Sequence, residues 1–289
     1  MKNKKTTTTL EETWDLVIEP KTSWFQLHLA DLWRYRDLVL LFVKRDLSVT
    51  YKQTILGPVW FLIQPLFSTI IFTVIFGKIA KIPTDGIPPF LFYMAGNVAW
   101  GYFANSLNGT SNTFVKNSGI FGKVYFPRLA IPLSIVISNL AKFAVQLLLF
   151  AGFYSYFALS GAGLKIDINI LYLPVIILQM AILALGVGVL ISSMVTKYRD
   201  LTVLMTFGVQ LWMYATPVVY PVSQVPEKYQ FFYLLNPMAV IIENFKYIFF
   251  HKGTILPDMI LISWITTVVI FFLGLLVFNR VEKGFMDTV

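Results

Sequence analysis

The sequence predicts an all-α polytopic membrane protein with six transmembrane helices, and three observations carry that prediction. Of its 289 residues, 57% are hydrophobic and only 13% are charged, against about 25% charged in an average soluble domain. The apolar residues gather into runs of roughly twenty, enough for a helix to cross ~30 Å of hydrocarbon. The stretch Y-K-Q-T-I-L-G-P-V-W-F-L-I-Q-P at 51–65 marks a junction. There charge ends, the chain turns at Gly57-Pro58, and an almost wholly apolar run to Phe76 begins.

Residues 1–25 read as a solvated N-terminal tail. Their basic start runs into four threonines and acidic residues, not an apolar core, so no cleavable signal is expected and the first span serves for insertion. Residues 26–56 read as an interfacial amphipathic segment. Leu40, Val43, Leu47 and Tyr51 recur at helical spacing, while Arg34, Arg45, Ser48 and Lys52 share another side. Such a helix lies in the headgroup plane or packs on its own protein. Spans are expected near 57–77, 89–107, 130–158, 170–195, 201–220 and 255–278, forming a transmembrane domain over 57–289. Of the 23 Lys and Arg residues, sixteen fall on the side that holds both termini and six on the other, with Lys142 inside span three. The positive-inside rule puts both termini in the cytoplasm.

Two connections stand out. The loop 108–129 is cytoplasmic by this topology and carries Phe114, Ile120, Phe121, Tyr125 and Phe126. A short helix starting near Asn112 would show these as knobs to a partner protein, unless they lie back against the spans. The segment 221–254 is too aromatic and aliphatic for a solvated loop, yet Asn236-Pro237, Glu243 and Lys246 break it. Two short re-entrant helices account for it, since irregular backbone at membrane depth is tolerated when buried in protein. An amphipathic hairpin on the outer leaflet is the alternative.

No catalytic signature is present. A phosphate-binding loop of the G-x-x-x-x-G-K-[ST] type is missing. His28 and His251 are the only histidines and stand far apart, so no metal site is expected. There is no cysteine, which excludes disulfide and thiolate chemistry. The net charge of +8 is read as loop asymmetry, with no role for nucleic acid. Four spans instead carry polar ladders at spacings of three and four: Trp60, Gln64 and Ser68; Tyr93, Asn97, Trp100 and Gly101; Ser134, Ser138, Lys142 and Gln146; Thr206, Gln210, Tyr214 and Pro217. In hydrocarbon these faces form interhelical hydrogen bonds or line a conduit. Trp60, Gln64, Tyr93, Asn97, Trp100, Gln210 and Tyr214 are the candidate path residues. Aromatic rings stack on sugars while amides bond their hydroxyls, so the lining suits a carbohydrate.

The ordered stretches 51–65, G-K-V-Y-F-P-R-L-A-I-P-L at 122–133, Y-R-D-L at 198–201, T-P-V-V-Y-P at 216–221 and L-N-P-M-A at 235–239 resemble the permease subunit of ABC-2-type exporters of cell-surface polysaccharides. The resemblance implies the type V exporter fold, a homodimer, and two separate ATPase subunits that hold ATP and Mg, with no cofactor in this chain. It implies a lipid-linked polysaccharide substrate, first O-antigen on undecaprenyl diphosphate, with teichoic acid, capsule, or another ABC-2 drug or lipid substrate as alternatives. It also implies a place in the bacterial cytoplasmic (inner) membrane. On this reading Phe114, Lys116, Ile120 and Phe121 couple to the ATPase. Arg34, Arg36, Lys44, Arg45 and Lys52 meet either the lipid diphosphate or anionic headgroups, at ~1 kcal/mol per charge.

Overall fold

The computed structural model describes residues 29–52, 56–121, 123–124, 126–198, 200–253 and 257–284. The tail 1–25, His28, Tyr125, Arg199 and the side chains of Tyr51 and Lys283 lie outside the described residues. The rest is helical: α1 (Leu29–Arg34), α2 (Arg36–Tyr51), α3 (Trp60–Phe72), α4 (Pro89–Ser111), α5 (Thr113–Phe121), α6 (Ala130–Leu159), α7 (Leu173–Val195), α8 (Leu201–Tyr214), α9 (Glu227–Leu234), α10 (Pro237–Phe250) and α11 (Pro257–Gly284). A 3-10 turn at Gly57–Val59 leads into α3, which runs on as a π-helical stretch at Thr73–Ile79. Another 3-10 turn, at Ile168–Tyr172, leads into α7.

Four helical stretches among the described residues are long and apolar enough to cross a membrane: Gly57–Ile79, Ala130–Leu159, Ile168–Val195 and Pro257–Val281. The other two expected spans differ for separate reasons. With 23 residues, α4 reaches about 35 Å, but it is polar because protein surrounds it. It packs against α3, α6, α7, α8 and α10, and Leu91 through Gly96 are all buried. A helix that meets little lipid has little need of a lipid-like surface. By contrast α8 has 14 residues, about 21 Å, short of the hydrocarbon thickness. Its expected continuation to residue 220 is irregular and buried at Thr216–Val219.

That irregular chain is held by side chains of the next helical pair. Asn236 caps α10 by accepting from Met238 N–H, accepts from Trp212 Nε1 at 3.1 Å, and donates from Nδ2 to the Ala215 carbonyl at 2.9 Å. Lys246, buried on α10, donates to the Pro217 carbonyl and stands over the Phe92 ring. A similar repair serves α3. Pro65 lacks the N–H that would bond the Phe61 carbonyl. Gln146 Nε2, from α6, donates to that carbonyl at 3.1 Å instead.

Close helix contact needs small residues. A methyl on Gly186 of α7 would fall 2.6 Å from Phe271 Cα of α11. Beside that contact, Gln179 Nε2 donates to Ser263 Oγ at 2.9 Å, and Ser263 donates onward to the Pro237 carbonyl. The segment 221–254 holds two short helices, α9 and α10. Of these α10 is buried on most of its surface, whereas Tyr229, Phe231 and Phe232 of α9 are exposed.

At the opposite end of the bundle, α2 packs on α6 and α5 packs on α7. Here two sequence expectations are corrected. Phe114 and Phe121 are not outward knobs. Both are buried with Phe42, Phe126 and Phe278, with Phe114 stacked on Phe278 at 4.7 Å. A nine-residue amphipathic helix gains more by closing the bundle end with its large rings than by showing them to water. On α2 the buried stripe is Val39 and Phe42, one position away from the expected one, and Leu40 is exposed.

Replacing Gln146 by Met should leave the Phe61 carbonyl without a donor at membrane depth. The expected cost is about 1–3 kcal/mol, read as a lower thermal midpoint of the detergent-solubilised protein. Introducing Pro65→Ala into the same variant should restore most of the loss, because the helix then supplies its own N–H.

Candidate functional site

At the end of the bundle that carries α2 and α5, six helices leave a cavity of about 960 Å³. Its size is at the upper end of small-molecule sites, which are mostly apolar, but seven of its 21 described lining residues are amides. On α4 and its C-cap, Asn105, Asn108 and the capping Asn112 follow at spacings of three and four, one face of the helix. Lys116 and Asn117 extend that wall along α5, and Ser138, Asn139, Lys142 and Gln146 form a facing strip on α6. Phe61 and Gln64 come from α3, Thr202 and Thr206 from α8, and Arg45 and Asp46 from α2.

Many of these groups are fixed on their own helices. Asn112 and Asn117 each donate Nδ2 to a carbonyl one turn back, both at 2.9 Å. That leaves the amide oxygens as acceptors. Lys142 Nζ donates to Asn139 Oδ1 at 3.3 Å and stands 5.7 Å from the centre of the Phe61 ring. Arg45 Nη2 pairs with Asp46 Oδ1 at 2.8 Å while its guanidinium lies over Phe42. The wall thus offers donors, acceptors and the edges of Phe61, Tyr102 and Phe143, the last two 5.1 Å apart. It can hold a neutral, hydroxyl-rich molecule. No group of three or more His, Cys, Asp or Glu suited to a metal occurs among the described residues.

The expected path residues divide into four sets. Only Gln64 lines the cavity. Trp60, Gln210 and Tyr214 are exposed on the outside of the subunit, on α3 and α8. Tyr93 and Trp100 belong to the core: Tyr93 packs by Phe76 and Phe92, and Trp100 by Phe103 and Trp212. Asn97, partly buried, reaches Thr69 Oγ1 of α3 at 3.4 Å, an interhelical contact. These seven residues therefore share no single surface of the subunit.

Among the basic residues, Arg45 lines the cavity, whereas Arg34, Arg36, Lys44 and Lys52 are exposed along α1 and α2. On α5, Lys116 is exposed and lines the cavity, Ile120 is partly buried, and Phe114 and Phe121 are core. Sequence reasoning missed the α4 asparagines: Asn108 and Asn112 lie past the expected end of span two at 107, and Asn105 sits just inside it. Continuing the ladder from Asn97 and Gly101 in steps of four and three reaches all of them.

The chain has relatives of known naming. Two proteins from Klebsiella pneumoniae, each named O-antigen export system permease protein RfbA, are 28% identical to it. One alignment spans 253 residues and the other 252, each covering 87% of this chain and 94% of the relative. A relative of the same name from Myxococcus xanthus is 26% identical over 235 residues, covering 80% of this chain and 86% of its own length. The family model described as ABC-2 type transporter matches residues 37–250, which takes in nearly all of α2, α3 through α10, and so every helix that lines the cavity. The chain belongs to the ABC-2 type transporter family.

Proposed function

We propose that this chain is the membrane subunit of an exporter that moves a lipid-linked cell-surface polysaccharide, O-antigen on undecaprenyl diphosphate before teichoic acid or capsule. The carrying observation is the amide-lined cavity of about 960 Å³ in a chain whose relatives are named for O-antigen export. An apolar drug or lipid would give the lining amides, Asn105, Asn108 and the buried Asn139 among them, no polar groups to bond, which argues against that alternative. On this reading α4 and α8, the latter with its irregular continuation, complete six spans, and α9 and α10 re-enter from the outer face. The α2/α5 end is the cytoplasmic one, by the distribution of Lys and Arg.

The chain carries no nucleotide-binding loop, so ATP and Mg act on separate ATPase subunits, two per homodimer. Exposed Trp60, Gln210 and Tyr214 on α3 and α8 support the dimer, since an amide facing lipid is costly and a second copy covers it. Exposed Trp33, Leu40 and Leu41 beside Arg34, Arg36 and Lys44 suit the headgroup plane of the bacterial inner membrane. The ATPase docks on the outer side of α5 and the turn after it, where Val115, Lys116, Lys123 and Val124 are exposed.

Two outcomes check this reading. Changing Asn105, Asn108 and Asn139 together to Leu should cut glycan export in cells by roughly tenfold or more, with the ATPase still co-purifying. Unchanged export would remove the cavity from the path. Separately, Val115→Asp with Val124→Asp should abolish co-purification of the ATPase while the permease stays folded. Phe114→Asp should instead lower the yield of folded protein, because it buries a charge among Phe121, Phe126 and Phe278. A folded Phe114→Asp protein that merely fails to bind the ATPase would reverse this assignment of surface and core.

A further inference from the structure

Lys142 stands midway along α6, at the depth of a predicted span. A lysine there is expensive unless it meets water, an anion or a partner. One of its three donors reaches Asn139 Oδ1, at a long 3.3 Å, and its charge faces Phe61. Asn139, Gln146 and Asn105 around it contribute no charge. Asp46, the one carboxylate among the described lining residues, pairs with Arg45 at 2.8 Å and also faces Lys142, so one carboxylate serves two cations. Arg45, Lys116 and Lys142 against Asp46 leave the cavity two positive charges in excess. A site built only for neutral hydroxyls has no use for that excess.

We infer that Lys142 forms the anion-binding point of the cavity and takes a phosphate group joined to a sugar, with the amides of α4 and α6 around the ring. This inference rests on the proposed function, because it assigns the phosphate to the glycan's lipid linkage. The site then selects the junction between sugar and phosphate, a feature common to many glycans. An ammonium placed among amides suits this task, since it adds charge without a competing acceptor.

The test uses the full chain with its ATPase in zwitterionic nanodiscs. Because the chain has no cysteine, Thr206→Cys on the cavity wall reports occupancy through protection from a water-soluble thiol reagent. The probe is a short prenyl diphosphate carrying one N-acetylhexosamine. It should protect the introduced thiol in a salt-sensitive way. Adding Lys142→Gln should raise the concentration needed by about tenfold or more and flatten the salt dependence, while Lys142→Arg keeps both. Equal protection in Lys142→Gln, with unchanged salt dependence, overturns the inference. So does equal protection by phosphatidylglycerol in the disc, which would assign the charge to a lipid headgroup. If a phosphate-free oligosaccharide protects as well as the probe, the glycan path stands and the anion point falls. If no sugar-bearing probe protects while inorganic diphosphate does, the anion point stands and the glycan reading falls.

Discussion

Hydrocarbon offers no hydrogen bonds, so any carbonyl released from a helix inside it must find a donor within the protein. The fold depends on three such repairs. Pro65 frees the Phe61 carbonyl and Gln146 takes it; the end of α8 frees the Ala215 and Pro217 carbonyls, and Asn236 and Lys246 take them. Each repair joins helices distant in sequence: α3 to α6, and α8 to α10. The bonds are therefore both local corrections and the ties that set the positions of the helices. Direct packing of α6 on α4 holds the α6 strip opposite the α4 asparagines, and the Gln146 bond ties α3 to the same wall.

Much of this architecture was legible in the sequence, but unevenly. Hydropathy located α3, α6, α7 and α11 because those helices present apolar surface outward, and composition alone reveals that. Spacing showed that Tyr93, Asn97 and Trp100 share a face of α4. Spacing does not say where a face points, and α4 proved to be surrounded, so its aromatics pack inward against Phe76, Phe103 and Trp212. The same limit applied to Phe114 and Phe121. An apolar ring on a short helix beyond a span looks exposed until the neighbouring helix ends supply a pocket, here from Phe42, Phe126 and Phe278. The mid-span Lys142 and Gln146 were visible as a ladder, but only the position of Pro65 against Gln146 explains why one of them is an amide.

The cavity itself was half visible. Ser138, Lys142 and Gln146 of its α6 wall and Thr206 stood in the ladders, and Gln64 among the path residues, whereas Asn139 stood in none and the α4 wall straddled the boundary assigned to span two. Helix ends are where hydropathy is least informative, since polar residues there read equally as loop or as lining. The amide face of α4 continues unbroken across that boundary, and the periodicity carries more information than the drop in hydropathy.

The anchoring of α8 has a mechanical consequence. Its C-terminal end is tied through Trp212, Ala215 and the chain beyond to Asn236 and Lys246, and Trp212 is wedged against Phe103 at 5.2 Å. Towards the other end Val203, Leu204, Thr206 and Phe207 are exposed. The helix is thus tied at one end and open along the other. Over its ~21 Å length, a tilt of about 10° about the tied end would displace the open end by about 4 Å. The side chains on that open end, Thr202 and Thr206, are the ones that border the cavity.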